Sequence, residues 1–134
     1  YYSDITRTVA VGDPGDEARA IYETVQEAAR ASREAVAAGT AYEELDHAAR
    51  EVIEDAGYGE YFPHRVGHGL GLEGHEPPYL ADGNDDTLDV GNVVTIEPGI
   101  YVPEVGGVRI EDDVALTEDG AETLTRSPRD LRIL

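Results

Sequence analysis

The chain has 134 residues, enough for one domain or part of one, and carries 29 Asp and Glu against 10 basic residues, all of them arginine, for a formal charge of −19. That balance argues against nucleic-acid or anionic-membrane partners; because the acids are scattered among apolar periodic segments, it reads as a solvated surface adapted to high salt, where the Debye length is roughly 3 Å at 1 M. Cysteine is absent, which excludes disulfides, zinc–thiolate sites and cysteine nucleophiles, and no apolar run suits a membrane span or a signal peptide, so a cytoplasmic setting is expected.

Residues 3–12, SDITRTVAVG, hold Ile5, Thr6, Thr8, Val9 and Val11, a β-branched run that predicts a strand. Asp13 followed by Pro14 predicts a helix N-cap with proline at the first helical position, and Asp16 and Glu17 suit the positive end of the helix dipole. Ala18, Ile21, Tyr22, Val25, Ala28, Ala29, Ser32 and Val36 then form one apolar stripe up to Gly39, a helix of about 24 residues. Thr40 and Glu43 have the spacing of a capping box opening a second helix, whose buried face is Leu45, Ala48, Ala49, Val52, Ile53 and Ala56 and whose stop is Gly57. His47 on that helix is assigned to its surface. Residues 92–102 and 107–117 read as two strands of a hairpin, and the stretch from 121 onward as one short strand with an irregular end.

Between the helices and the hairpin lies HRVGHGLGLEGHEPPYL, residues 64–80, with three of the four histidines, four glycines and a double proline. A packed core needs none of these, because histidine is seldom chosen for bulk and glycine has no side chain to bury. The glycines are expected to let imidazoles and backbone approach a crowded site, and the prolines to stiffen the exit of the loop. Glu97 and Glu111 sit among apolar neighbours on the two hairpin strands, and Asp4 sits in the first β-branched run. Side chains alternate faces along a strand, so such acids can converge, and burying them costs several kcal/mol each (about) unless a cation or proton compensates. Carboxylates with imidazole suit Mn²⁺, Co²⁺, Fe²⁺ or Zn²⁺. Spacing alone equally fits edge or surface acids of an acidic protein.

The four blocks SDITRT, HRVGHGLGLEGHEPPYL, TIEPGIYV and VRIEDDVALTEDG, in this order over residues 3–120, resemble the metal-dependent peptidases of the pita-bread fold. That group, family M24, holds Xaa-Pro aminopeptidases, prolidases and methionine aminopeptidases. The resemblance implies an α+β fold, the C-terminal portion of a pita-bread domain, with a curved antiparallel sheet backed by two helices. It also implies two divalent ions, Mn²⁺ foremost, held by Asp4, His68, Glu97 and Glu111, with Glu97 doubling as proton shuttle. His64 and His75 would sit near the substrate, Arg109 would support the metal-bound acids or clamp the substrate, and Tyr101 would donate a hydrogen bond there. The residues around Glu111 and the HEPPYL run look like the Xaa-Pro group, which cleaves the bond before proline, rather than methionine aminopeptidases. Prolidase and aminopeptidase P both remain open, as does a homodimer of the parent protein. A scaffolding member of the fold without catalysis is the rival reading. With Tyr1 as first residue and no Met, the whole chain, residues 1–134, is expected to be part of a catalytic domain. The family's first Asp ligand would lie upstream of it, leaving this piece alone weakly active or inactive.

Overall fold

The computed structural model describes residues 1–134. Two helices, α1 (Gly15–Glu34) and α2 (Tyr42–Asp55), follow a short strand β1 (Val9–Ala10). A 3-10 turn (Gly59–Tyr61) then leads into β2 (Gly67–Gly69), β3 (Glu76–Leu80), β4 (Val93–Ile96), β5 (Gly99–Val102), β6 (Gly106–Arg109), β7 (Asp112–Thr117), β8 (Gly120–Thr123) and β9 (Arg132–Ile133). The main sheet has the order β3-β2-β4-β7-β8, all neighbours antiparallel; β5 and β6 form a separate antiparallel pair, and β1 pairs with β9 in parallel. The α+β architecture is the expected one. No helix is long and apolar enough to cross a membrane.

The helices arise where the apolar stripes lie, and Ile21, Tyr22, Val25, Ala28, Ala29, Leu45, Ala49 and Ile53 are all buried. The helices pack on each other, α1 also against β4, β5 and β6, and α2 against β3. Val66, Leu80, Val94, Ile96, Ile100, Ile110 and Val114 complete the core from the sheet side.

Local starts and stops differ from expectation in instructive ways. The start of α1 lies one residue later than expected: Pro14, not Asp13, is its N-cap and no side chain caps it, Asp13 instead accepting from Gly15 N–H at 3.1 Å in the turn before the helix, and α1 ends at Glu34, short of the expected length. The Thr40–Glu43 capping box does not form, since α2 has no side-chain cap. Its orphan donors are met instead by backbone: Tyr42 N–H donates to Asp86 O and Glu43 N–H to Asn84 O, while Glu43 reaches across to accept from Gly83 N–H. The expected strand over residues 3–12 shrinks to Val9–Ala10. Upstream, Thr6 makes one isolated bridge to Glu111, and the hydroxyl of Thr8 both donates to Arg109 O and accepts from Arg109 N–H, so polar side chains replace the ladder. The expected loop exit at EPPYL is the edge strand β3, and the C-terminal stretch holds two strands, β8 and β9, rather than one.

Candidate metal centre

The expected hairpin is present, but each arm breaks, and the breaks fall at Glu97 and Glu111. Ile96 pairs with Asp112 and Gly99 with Arg109, so the same register continued across the gap sets Glu97 opposite Glu111. Instead of pairing with each other, Glu97 N–H donates to Val66 O at 2.7 Å and Glu111 N–H to Thr6 O at 3.1 Å. Both carboxylates are thereby turned toward the segments that carry the histidine and the aspartate.

His68 lies at the middle of β2 and is 1 % exposed. Gly67 and Gly69 on either side are required by the sheet rather than by any ion. A Cβ on Gly67 would lie 1.9 Å from Thr95 O, and one on Gly69 would lie 2.5 Å from Pro77 O. This corrects the expectation that these glycines make room for a crowded site. The backbone N–H of His68 donates to Thr95 Oγ1, and its ring Nδ1 lies 2.9 Å from Gly69 O. A carbonyl only accepts, so Nδ1 carries the proton and Nε2 presents a lone pair. That Nε2 is buried without a hydrogen-bond partner, 3.1 Å from Glu97 Oε1 and 4.0 Å from Asp4 Oδ2.

Ligand-capable atoms of His68, Glu97 and Glu111 lie within 4.8 Å of one another, and so do those of Asp4, His68 and His75, the two groups sharing His68. The rings of His68 and His75 stand 4.1 Å apart. Burial pushes the Glu111 carboxyl up to about 7; a hydrogen bond from the Thr6 hydroxyl opposes the rise, and the nearby Glu97 and Asp4 charges add to it. A buried lone pair facing a carboxylate, beside two further acids, is unfavourable unless a cation or proton lies among them. The donor set, imidazole nitrogen with carboxylate oxygens, fits a borderline divalent ion. These residues therefore fit the metal that the resemblance implies.

The other expected site residues surround this cluster. His64, His68, His75, Glu97 and Arg109 line one open cleft of about 580 Å³, together with Pro63, Arg65 and Ala81. Tyr101 reaches it through His64, whose Nε2 lies 2.9 Å from the Tyr101 hydroxyl; with His64 Nδ1 on Arg65 O, the hydroxyl is the donor. Arg109 Nε donates to Thr6 Oγ1, which in turn donates to Glu111 Oε2, so Arg109 acts on the acid through a threonine. His47 lies outside the cleft, paired with Asp82 beside Glu43 on the surface.

Several supporting residues were not singled out from sequence. Asp112, fully buried, is gripped by Arg7, Arg33 and Arg129 at 2.6, 2.9 and 2.6 Å, and Arg7 also donates to Thr6 O and Glu111 O, locking the break at Glu111. The Asp113 carboxylate accepts from Asp4 N–H at 3.2 Å; burial raises its pKa, with the Asp4 bond opposing. Thr95 serves both His68 and Glu97. The run of three acids, Glu111 to Asp113, was a signal that each has separate work, but nothing in the sequence shows which arginines meet Asp112.

The sequence pattern of the metallopeptidase family M24 matches residues 1–118. The chain is 53% identical over 131 residues to the Xaa-Pro dipeptidase of Pyrococcus furiosus, a match that covers 98% of this chain and 38% of that protein. Among solved structures it matches an Xaa-Pro dipeptidase from Bacillus anthracis with a TM-score of 0.96 and 52% identity, over 98% of this chain and 37% of that one. It also matches an X-Pro aminopeptidase from Thermotoga maritima with a TM-score of 0.94 and 45% identity, over 98% and 38% of the two chains. The chain thus spans well under half the length of each of these relatives. Fold, sequence pattern and the clustered imidazole and carboxylates agree that the chain belongs to the metallopeptidase family M24.

Proposed function

We propose that the protein to which these residues belong hydrolyses the peptide bond preceding proline, as an Xaa-Pro dipeptidase or aminopeptidase. The observation that carries this reading is His68 Nε2, buried, unpartnered and aimed at carboxylates on the wall of an open cleft. Asp4, His68, Glu97 and Glu111 would hold the divalent ions, with Mn²⁺ the first choice. Bound there, such ions supply Lewis acidity toward a peptide carbonyl and a water whose pKa is lowered to about 7.

The chain's own residues supply the rest. Oε1 of Glu97 is held by Thr95 at 3.3 Å and faces His68, which leaves Oε2 as the atom that accepts the proton of the attacking water and returns it to the leaving proline nitrogen. A C–O bond forms, the C–N bond breaks, and the proton ends on nitrogen. His75, exposed beside His68, and the His64–Tyr101 pair, on the same cleft, would offer hydrogen bonds to the carbonyl oxygen as it gains negative charge. Arg109, through Thr6, fixes the orientation of Glu111.

The 134 residues make up part of the catalytic domain, and an additional aspartate ligand from the rest of the protein completes the site, working in a salty cytoplasm. The test is hydrolysis of Xaa-Pro against Xaa-Ala dipeptides by the native protein with added Mn²⁺ or Co²⁺ in molar salt, beside metal analysis and the 134-residue chain alone. Cleavage confined to Xaa-Pro, abolished by chelation and at least tenfold weaker in the isolated chain, is expected. A native protein without stoichiometric divalent metal would overturn the peptidase reading in favour of a scaffold.

A further inference from the structure

Helix α2 contributes no residue to the cleft, yet it holds the loop that forms one of its walls. Asp46 is fully buried, and its Oδ1 accepts the backbone N–H of Val66 at 2.8 Å. One turn on, Arg50 pairs with Asp46 through Nε on Oδ2 at 2.8 Å and Nη2 on Oδ1 at 3.3 Å, and its two outer nitrogens also reach backbone carbonyls, Nη1 on Phe62 O and Nη2 on His64 O, both at 3.1 Å. Its guanidinium also lies over the Phe62 ring, 4.3 Å from the centroid, and that ring meets the His64 imidazole edge-on at 5.1 Å. Beyond Val66 the chain of contacts continues, because Val66 O accepts the N–H of Glu97 at the break between β4 and β5.

We propose that Asp46 and Arg50 are positioning residues of the cleft: their ion pair clamps the 62–66 loop so that His64 and Glu97 are held in the geometry the reaction uses. A surface i,i+4 pair would hold only its own helix, worth about 0.3–0.5 kcal/mol. This pair instead has a buried carboxylate, and its planar five-donor fork is turned onto backbone acceptors on both sides of His64, an arrangement lysine cannot copy. Neither residue touches substrate or metal. Both act through His64 and Glu97, and the kinetic part of the inference rests on the peptidase reading above.

The test uses the native, metal-loaded protein. Arg50→Gln is expected to lower kcat on an Xaa-Pro dipeptide at least tenfold, with KM within threefold and bound metal unchanged. In a His64→Ala background the same substitution is expected to cost at least threefold less than in the wild type, because the share of its effect carried by His64 is gone and only the share carried through Val66 and Glu97 remains. In parallel, hydrogen exchange at the amides of Val66 and Glu97 is expected to quicken at least tenfold while that of Leu116 on β7 stays within twofold. Should Arg50→Gln not fold, Arg50→Lys, which keeps a cation beside Asp46 but loses the fork, carries the same expectations. Equal losses in the two backgrounds, an unchanged kcat, or exchange that quickens as much at Leu116 as at Val66 would overturn the proposal. If the wild-type protein cleaves no Xaa-Pro peptide, it is the peptidase reading that fails, and the exchange result alone decides whether the clamp exists.

Discussion

At the scale of single residues, the clustered acids carry a liability. Glu111 is 2 % exposed and its carboxyl is pushed up to about 7, chiefly by burial, from an ordinary 4.5. The folded protein therefore holds this proton more tightly than the unfolded chain does. The stability it lends is fully present below pH 4.5 and is lost as pH rises through about 7, by about 3 kcal/mol for such a shift. Asp113, raised for the same reason, adds a loss of the same sign. A divalent ion bound among these acids would replace the proton as the compensating charge. The melting temperature of chelator-treated protein should thus fall between pH 5 and pH 8, and Mn²⁺ should remove most of that fall; parallel curves with and without metal would contradict it. The acids themselves were legible in sequence because a carboxylate amid apolar strand residues demands an explanation. Thr6 and Asp112 were not, since their partners, Arg109 and three arginines, are brought to them only by the folded chain.

At the scale of elements, legibility follows the range of the forces involved. Both helices and the long hairpin announce themselves through local periodicity, and both are there. The capping box is a local pattern that tertiary structure overrode, because the backbone of residues 84–88 occupies the α2 terminus. Strands β2 and β3 gave little strand signal, β2 being Gly-His-Gly and β3 opening on glutamate and two prolines before Tyr79 and Leu80. Strand β2 pairs with β4 at Gly69 and carries β3 on its other edge, and glycine at 67 and 69 lets the strands come that close. This yields a contrast within one stretch of sequence. Gly67→Ala sets a methyl against Thr95 O and should cost about 1–3 kcal/mol in urea unfolding, while weakening Mn²⁺ binding as His68 shifts with its strand. Gly74→Ala meets nothing nearer than the Tyr2 ring at 3.7 Å and should stay within about 0.5 kcal/mol. Equal costs at the two positions would mean that close packing of β2 on β4 is not what fixes His68.

For the whole molecule, the question is how a chain with a formal charge of −19 stays folded. Its arginines are spent locally. Three converge on Asp112 and one on Asp46, in the interior, and Arg30 bridges Glu27 and Glu34 along α1. Little positive charge is left to offset the exposed acids, so their mutual repulsion opposes the compact state over distances set by the ionic strength. The Debye length shrinks from about 10 Å at 0.1 M to about 3 Å at 1 M, and the arginine pairs, whose aspartates are out of solvent, lose far less to that screening than the surface acids gain. Stability should accordingly climb with KCl from 0.1 M to 2 M at pH 7.5. At pH 4, where many of the exposed carboxylates are protonated, the climb should be much smaller, which separates charge screening from a general salting-out effect that would act at both. A melting temperature that is flat or falling with salt at pH 7.5 would show that the interior ion pairs, not the surface repulsion, dominate the electrostatic balance.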